Sequence, residues 1–269
     1  MTDFKNSYSK RFIFNVSKEK RGFVPLTSHR SGIIFYKEKV YLTNPMAYIP
    51  SVKVAPDFFK DYNNSRFIFE YDILRDSIFE NNMLFPIEYN KAIYSDYFNF
   101  MSQWFVDDKI LYSFPLSDSL IEYAISSKLS KRIYAGFSKR NKFKSEELAS
   151  SQTDLIDVSS NEQFNSFIGQ FNYDKILYDE YRKLFYRFIE FPIPNNVLEI
   201  PARIKPLGIL IFDQDFNKIG EYDLGYGKYT ISHCFISSKG LNLINYEKII
   251  SEESSITFDI FDFSMPEQL

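Results

Sequence analysis

The chain of 269 residues is 45% hydrophobic and 25% charged, which excludes a disordered polar polymer and provides apolar surface for a sizeable core. Its net charge of −3 comes from well-mixed acids and bases, so the basic face of a nucleic-acid binder is missing and no nucleic-acid partner is expected. The single cysteine, Cys234, leaves no internal disulfide and no multi-cysteine metal site. Aromatic residues make up 19%, with 29 Phe and 20 Tyr, and such residues suit pleated, half-buried surfaces.

From the N-terminus, MTDFKNSYSKRF has no apolar stretch of the kind a signal peptide carries. No later run approaches the roughly 20 apolar residues that span a bilayer. A cytoplasmic location is the expectation if Met1 is the native start. The first strand-like segment is Arg11–Val16, and four longer units follow at about 28–80, 96–136, 170–224 and 229–264. Each opens with a polar hairpin: FYKEKVYL (35–42), FVDDKILY (105–112), LYDEYRKLFY (177–186) and FISSKGLNL (235–243). The third strand of each unit ends alike, at Tyr71-Asp72, Tyr123-Ala124, Phe212-Asp213 and Phe261-Asp262. Alternation such as Ile110, Tyr112, Phe114 marks strands with a buried face, and Ser117-Asp118-Ser119 is turn chemistry. The last unit has three strands, at about 231–236, 241–246 and 256–263.

Residues 137–165 interrupt the repeat with FSKRNKFKSEELASSQ, whose basic run (Lys139, Arg140, Lys142, Lys144) reads as a solvated loop. Ser160 to Gln163, followed by Phe164, Phe167 and Ile168, has the form of a capping box opening a short amphipathic helix. Repeating four-stranded units of about 40–50 residues predict an all-β fold, a β-propeller of antiparallel blades forming one domain over 1–269 with an insertion at 137–165. Segments 31–36, 100–106, 173–179 and 231–236 are then the first strands, lining a central channel. Arg11–Val16 is expected to pair with 256–263 and supply the strand the last blade lacks.

DDKILYSFPLSDSLIEY, YDEYRKLFYRFIEFPIP, LGILIFDQDFNKIGEYDL and the closing FISSKGLNL…ITFDIFDF together resemble the uncharacterised six-bladed β-propeller lipoproteins of Bacteroides-type bacteria. The resemblance covers about 28–264 and implies a periplasmic or cell-surface protein. It transfers no catalytic residue. Four blades plus a strand, against six, imply an incomplete ring and a shortened N-terminus. A lipid anchor is implied only if a lipobox cysteine lies upstream.

Catalytic motifs are sparse. His233 and Cys234 are adjacent in a predicted strand, so their side chains point to opposite faces and cannot form a dyad. Asp213-x-Asp215-x-Asn217 begins like a calcium loop, but Lys218 stands where the loop needs glycine and Leu224 where it needs glutamate, so a turn is the better reading. Paired acids at Asp107/Asp108, Glu146/Glu147 and Glu252/Glu253 read as solvated turns. Asp76-Ser77-Ile78 and Asp118-Ser119-Leu120 look like short O-glycosylation acceptors and are equally well explained as turns. No metal or cofactor is expected. The ligand-binding candidates lie on or beside the first strands: His29, Arg30, Gln103, Trp104, Tyr178, Arg187 and His233. The sequence thus points to a non-enzymatic propeller module with a protein or small-molecule partner. The alternatives are a propeller-type hydrolase or lyase with its site at the channel mouth, and a truncated family member without independent function.

Overall fold

The computed structural model describes residues 32–43, 67–81, 83–90, 96–139, 160–193, 205–251 and 255–263. The strand expected at Arg11–Val16, the candidates His29 and Arg30, and residues 140–159 of the insertion lie outside the described residues.

Among the described residues fifteen strands form four antiparallel sheets, each with its strands adjacent in sequence order. Sheet I holds β1 (Ile34–Tyr36), β2 (Lys39–Thr43), β3 (Ile68–Asp72) and β4 (Ser77–Glu80). Sheet II holds β5 (Ser102–Val106), β6 (Lys109–Ser113), β7 (Ser119–Ala124) and β8 (Leu129–Tyr134). Sheet III holds β9 (Asn172–Asp179), β10 (Leu184–Glu190), β11 (Leu207–Phe212) and β12 (Lys218–Gly225). Sheet IV has three strands among the described residues, β13 (Tyr229–Ser237), β14 (Gly240–Asn245) and β15 (Phe258–Phe261). The four hairpins and the four aromatic-ended third strands fall where the repeat places them. Helix α1 spans Ser160–Ile168, across the end of the expected insertion, and a second helix, α2 (Tyr246–Ser251), begins at Tyr246, where a strand was expected to end.

The hairpins repeat at the level of backbone angles. Lys37 and Asp107, each the first turn residue in the first hairpin of its sheet, sit at φ 53° and 57°, Lys183 closes the longer first hairpin of sheet III at φ 57°, and Gly240 opens β14 at φ 140°. Asp76, Lys128 and Phe216 are also left-handed, each between the third and fourth strands of its sheet. Positive φ is uncommon outside glycine, so six non-glycine residues with it, all in hairpin turns, mark a recurrent turn geometry.

Parity along the strands explains how the sheets stack. Successive side chains point to opposite faces, and on β6 Ile110 and Tyr112 enter the core shared with sheet I while Leu111 enters the core shared with sheet III. Sheet III does the same. Leu184, Tyr186, Ile209 and Ile211 pack toward sheet IV, and Phe185, Leu210 and Phe212 pack toward sheet II. Three apolar cores therefore fill three gaps between four sheets, each gap closed from both sides. The first strands are neighbours: β9 lies beside β5 and β6 of sheet II and beside β13 of sheet IV. Sheets I and IV are not paired with each other, and no closed ring is present among the described residues.

At Gly240 an added Cβ would collide with the Phe261 carbonyl oxygen, at a φ that L-residues rarely adopt. Gly240→Ala should therefore lower stability by more than about 2 kcal/mol. Gly225→Ala, where φ is +84° but a Cβ meets nothing within 4 Å, should cost only the backbone penalty of about 1 kcal/mol. Urea unfolding of the two variants side by side checks the ordering.

Candidate binding site

The candidates that fall within the described residues are placed along the row of first strands or just behind it. Gln103 on β5 is buried and donates through Nε2 to the Gly32 carbonyl, joining sheets I and II. Beside it Ser102 accepts the Ile176 amide of β9 at 3.0 Å, joining sheets II and III. Trp104 is half-buried and packs against the cores on both sides of sheet III. Tyr178 on β9 is half-buried, meets Phe185 in a tilted ring pair at 4.6 Å and accepts a hydrogen bond from Gln214 Nε2 at 3.1 Å. His233 is exposed on β13 and Cys234 is buried, as opposite faces require. Here Thr230 pairs with Ile244 and Phe235 with Asn242, so Ile231–Cys234 bulge outward opposite Leu243 alone. Burial pushes the Cys234 thiol up, against the pull of the neighbouring Lys175 ammonium, which makes it a poor nucleophile.

Arg187 sits on β10, behind the first strand, and is fully buried. Its guanidinium reaches into sheet II: Nε donates to Ser113 Oγ at 2.9 Å, Nη1 to the Ala135 carbonyl at 2.9 Å, and Nη2 to the Ser117 carbonyl at 2.8 Å. It also lies 3.7 Å from the Tyr173 ring centre, a cation–π contact. Tyr173 in turn donates to Asp118, and burial pushes its hydroxyl up to about 12 although Arg187 pulls the other way. Two similar tethers flank it. Lys205 is buried and donates to the Phe167 carbonyl at 3.0 Å, the Gln170 carbonyl at 2.6 Å and Asn172 Oδ1, closing the carbonyl end of α1. Asp179, fully buried, accepts the Tyr186 hydroxyl at 2.9 Å and holds Arg182, whose Nε reaches Asp262 of sheet IV at 2.8 Å.

A groove of about 360 Å³ opens at the outer end of sheet III, lined by Phe137, Lys139, Phe191, Pro206, Glu221, Tyr222 and Asp223. Phe137 and Phe191 meet edge to face at 5.4 Å and form an aromatic floor, while Tyr222 on β12 is half exposed. The rim is charged. Glu221 accepts from the Ser138 amide at 3.1 Å, from Ser138 Oγ at 2.6 Å and from Lys218 Nζ at 2.8 Å. Burial pushes its carboxyl up, but the Lys218 and Ser138 donors outweigh this and hold it below the ordinary value. Asp223 accepts the Gly225 amide at 2.9 Å. An aromatic floor with a few placed polar groups is the usual make-up of a small-molecule site. None of these lining residues was among the ligand-binding candidates, because they come from four separate segments. At the opposite end of β11, Asp213 points its oxygens at the Asp215 and Asn217 amides and at Asn217 Nδ2, all within 2.9 Å, which is turn capping.

Stacked antiparallel sheets with a groove at one end define an all-β repeat protein with a surface site. The chain belongs to the family of DUF4221, a domain of unknown function, whose model matches residues 68–223. A crystal structure of a DUF4221 member from Bacteroides vulgatus is similar over 81% of this chain, with a TM-score of 0.57 and 21% identity; this chain spans 58% of that protein's length. The acylaminoacyl peptidase of Pyrococcus horikoshii gives a TM-score of 0.37 at 6% identity, over 80% of this chain and 27% of the peptidase, too weak for any argument. Among curated proteins no sequence matches.

Replacing Arg187 by leucine strands a buried hydroxyl and several carbonyls, so Arg187→Leu should cost about 3 kcal/mol or more in urea unfolding. Arg187→Lys, which keeps the charge but loses the fork, should fall between the two. Because the folded pKa of Glu221 is lowered, its contribution is complete above the ordinary glutamate value of 4.5 and is lost as pH falls through the lower folded value. The drop in melting temperature between about pH 5 and about pH 3 should therefore be smaller in Glu221→Gln than in the parent.

Proposed function

We propose that the four sheets are blades of a β-propeller and that the protein is a non-enzymatic binding module, exported in its native setting. The ligand is a small polar molecule with a ring or an apolar face, such as a sugar or an amino acid, held in the groove over Phe137 and Phe191. The observation that carries the binding reading is that groove, with Phe137 and Phe191 at its floor and Lys139, Glu221 and Asp223 at its rim. Asp179, Arg187 and Asp213 are engaged in holding turns and tethers. The propeller reading is supported by sheet order, by matched hairpins and by first strands that lie side by side. Export is supported by the resemblance of residues 28–264 to Bacteroides-type lipoproteins, and fractionation of the source cells tests it.

Isothermal titration against a panel of monosaccharides, disaccharides and free amino acids tests the site. At least one class should bind, and Lys139→Ala and Phe191→Ala should each weaken it by about tenfold or more, the equivalent of about 1.4 kcal/mol. Binding that survives both substitutions unchanged would rule the groove out.

A further inference from the structure

Three buried polar atoms face the gap between sheets I and II and have no hydrogen-bond partner among the described residues: Thr43 Oγ1 on β2, Gln103 Oε1 on β5 and Tyr112 Oη on β6. Their residues are 2%, 7% and 0% exposed. Leaving such atoms dry costs stability, and native proteins seldom do so.

The strand registers bring the three together. Gln103 and Tyr112 are directly opposed across β5 and β6, and Tyr112 belongs to the core between sheets I and II. Thr43 follows Tyr41 by two residues, so it shares the side of β2 on which Tyr41 enters the same core. Gln103 Nε2 donates to the Gly32 carbonyl, and Gly32 lies two residues before Ile34, the partner of Tyr41. The same register carried on by two residues sets Gly32 opposite Thr43. The Gln103 side chain thus runs from its place beside Tyr112 to the strand beside Thr43. The carboxylates on that face of sheet I are committed elsewhere, Glu70 to Lys39 and Asp72 to the Leu74 and Arg75 amides.

The next gap shows what this position does. Thr43 and Ser113 are equivalent, each paired with the residue three before the aromatic that ends the third strand, Ile68 before Tyr71 and Leu120 before Tyr123. Tyr112 and Arg187 are equivalent too, paired two residues before it with Ile121 and Leu210. Between sheets II and III the arginine donates straight to Ser113 Oγ. Between sheets I and II the same place holds a tyrosine, shorter and with one donor instead of five, and no direct bond reaches Thr43.

We propose that the gap between sheets I and II contains a binding site for one buried water molecule, which bridges Tyr112 Oη, Thr43 Oγ1 and Gln103 Oε1 and ties the first pair of sheets as Arg187 ties the second. Two hydroxyls and an amide oxygen carry no net charge, which suits water and not an ion, and three partners is the usual number for a buried water. The water donates to Gln103 Oε1 and to one hydroxyl and accepts from the other. The site is independent of the groove and of ring closure.

Urea unfolding and a crystal structure of the full chain test this together. Tyr112→Phe and Thr43→Val each remove one bond of the water, and each should raise the unfolded-to-folded ratio by about fivefold. In the double variant the rise should be smaller than the product of the two, because the second substitution removes a hydroxyl whose water has already gone. The crystal structure of the parent should show an ordered water at hydrogen-bond distance from Tyr112 Oη and Thr43 Oγ1. Dry, unpaired hydroxyls predict the opposite sign, since deleting either would then stabilise the fold. Stabilisation by either single variant, effects that simply multiply, or a parent crystal structure with no water beside Tyr112 Oη would each overturn the proposal.

Discussion

A sheet that is apolar on both faces has to be covered twice, and the rest of this molecule follows from that constraint. Sheets II and III satisfy it by standing between neighbours, with alternate residues such as Ile110 and Leu111 sent to different cores. Stability is then a property of adjacent pairs of sheets, since no single sheet encloses a core of its own. This also explains why the apolar pattern on the middle strands is nearly continuous, as on β11, where Leu207 through Phe212 are all buried.

Apolar stacking alone tolerates sliding, because one row of aliphatic and aromatic residues fits another in more than one register. The buried polar tethers remove that freedom. Arg187 can satisfy its guanidinium only when Ser113, Ala135 and Ser117 present their oxygens together. Arg182 likewise fixes the first hairpin of sheet III against Ser238 and Asp262 of sheet IV. The Arg187 and Arg182 tethers each join consecutive sheets, so that the aromatic cores are held in a single alignment.

The parts legible in the sequence are those set by neighbours in the chain. Period-two alternation and the hairpins gave the strands and their order, because antiparallel meanders pair segments a few residues apart. Gln103 and Trp104 could be placed on a first strand for the same reason. The hydrogen-bond partners of Arg187 could not be read, since Ser113 lies 74 residues away and Ala135 52, and no local pattern links them. The groove was hidden likewise, its floor coming from Phe137 and Phe191 and its rim from Glu221 to Asp223. Helix α2 was missed because Tyr246–Ser251 is a short segment directly continuous with a strand, where the two periods cannot be told apart.

Each sheet having its strands in sequence order has a consequence for how the protein is made. During synthesis the sheets leave the ribosome whole and in stacking order, so sheet I is complete before the surface that covers it exists. The nascent chain therefore carries one bare apolar face at its growing end, which moves forward as each new sheet covers the last. Pairings within a sheet are local and form early, whereas Arg187 finds Ser113 only after sheet III has begun to emerge, making that tether a late checkpoint of correct stacking.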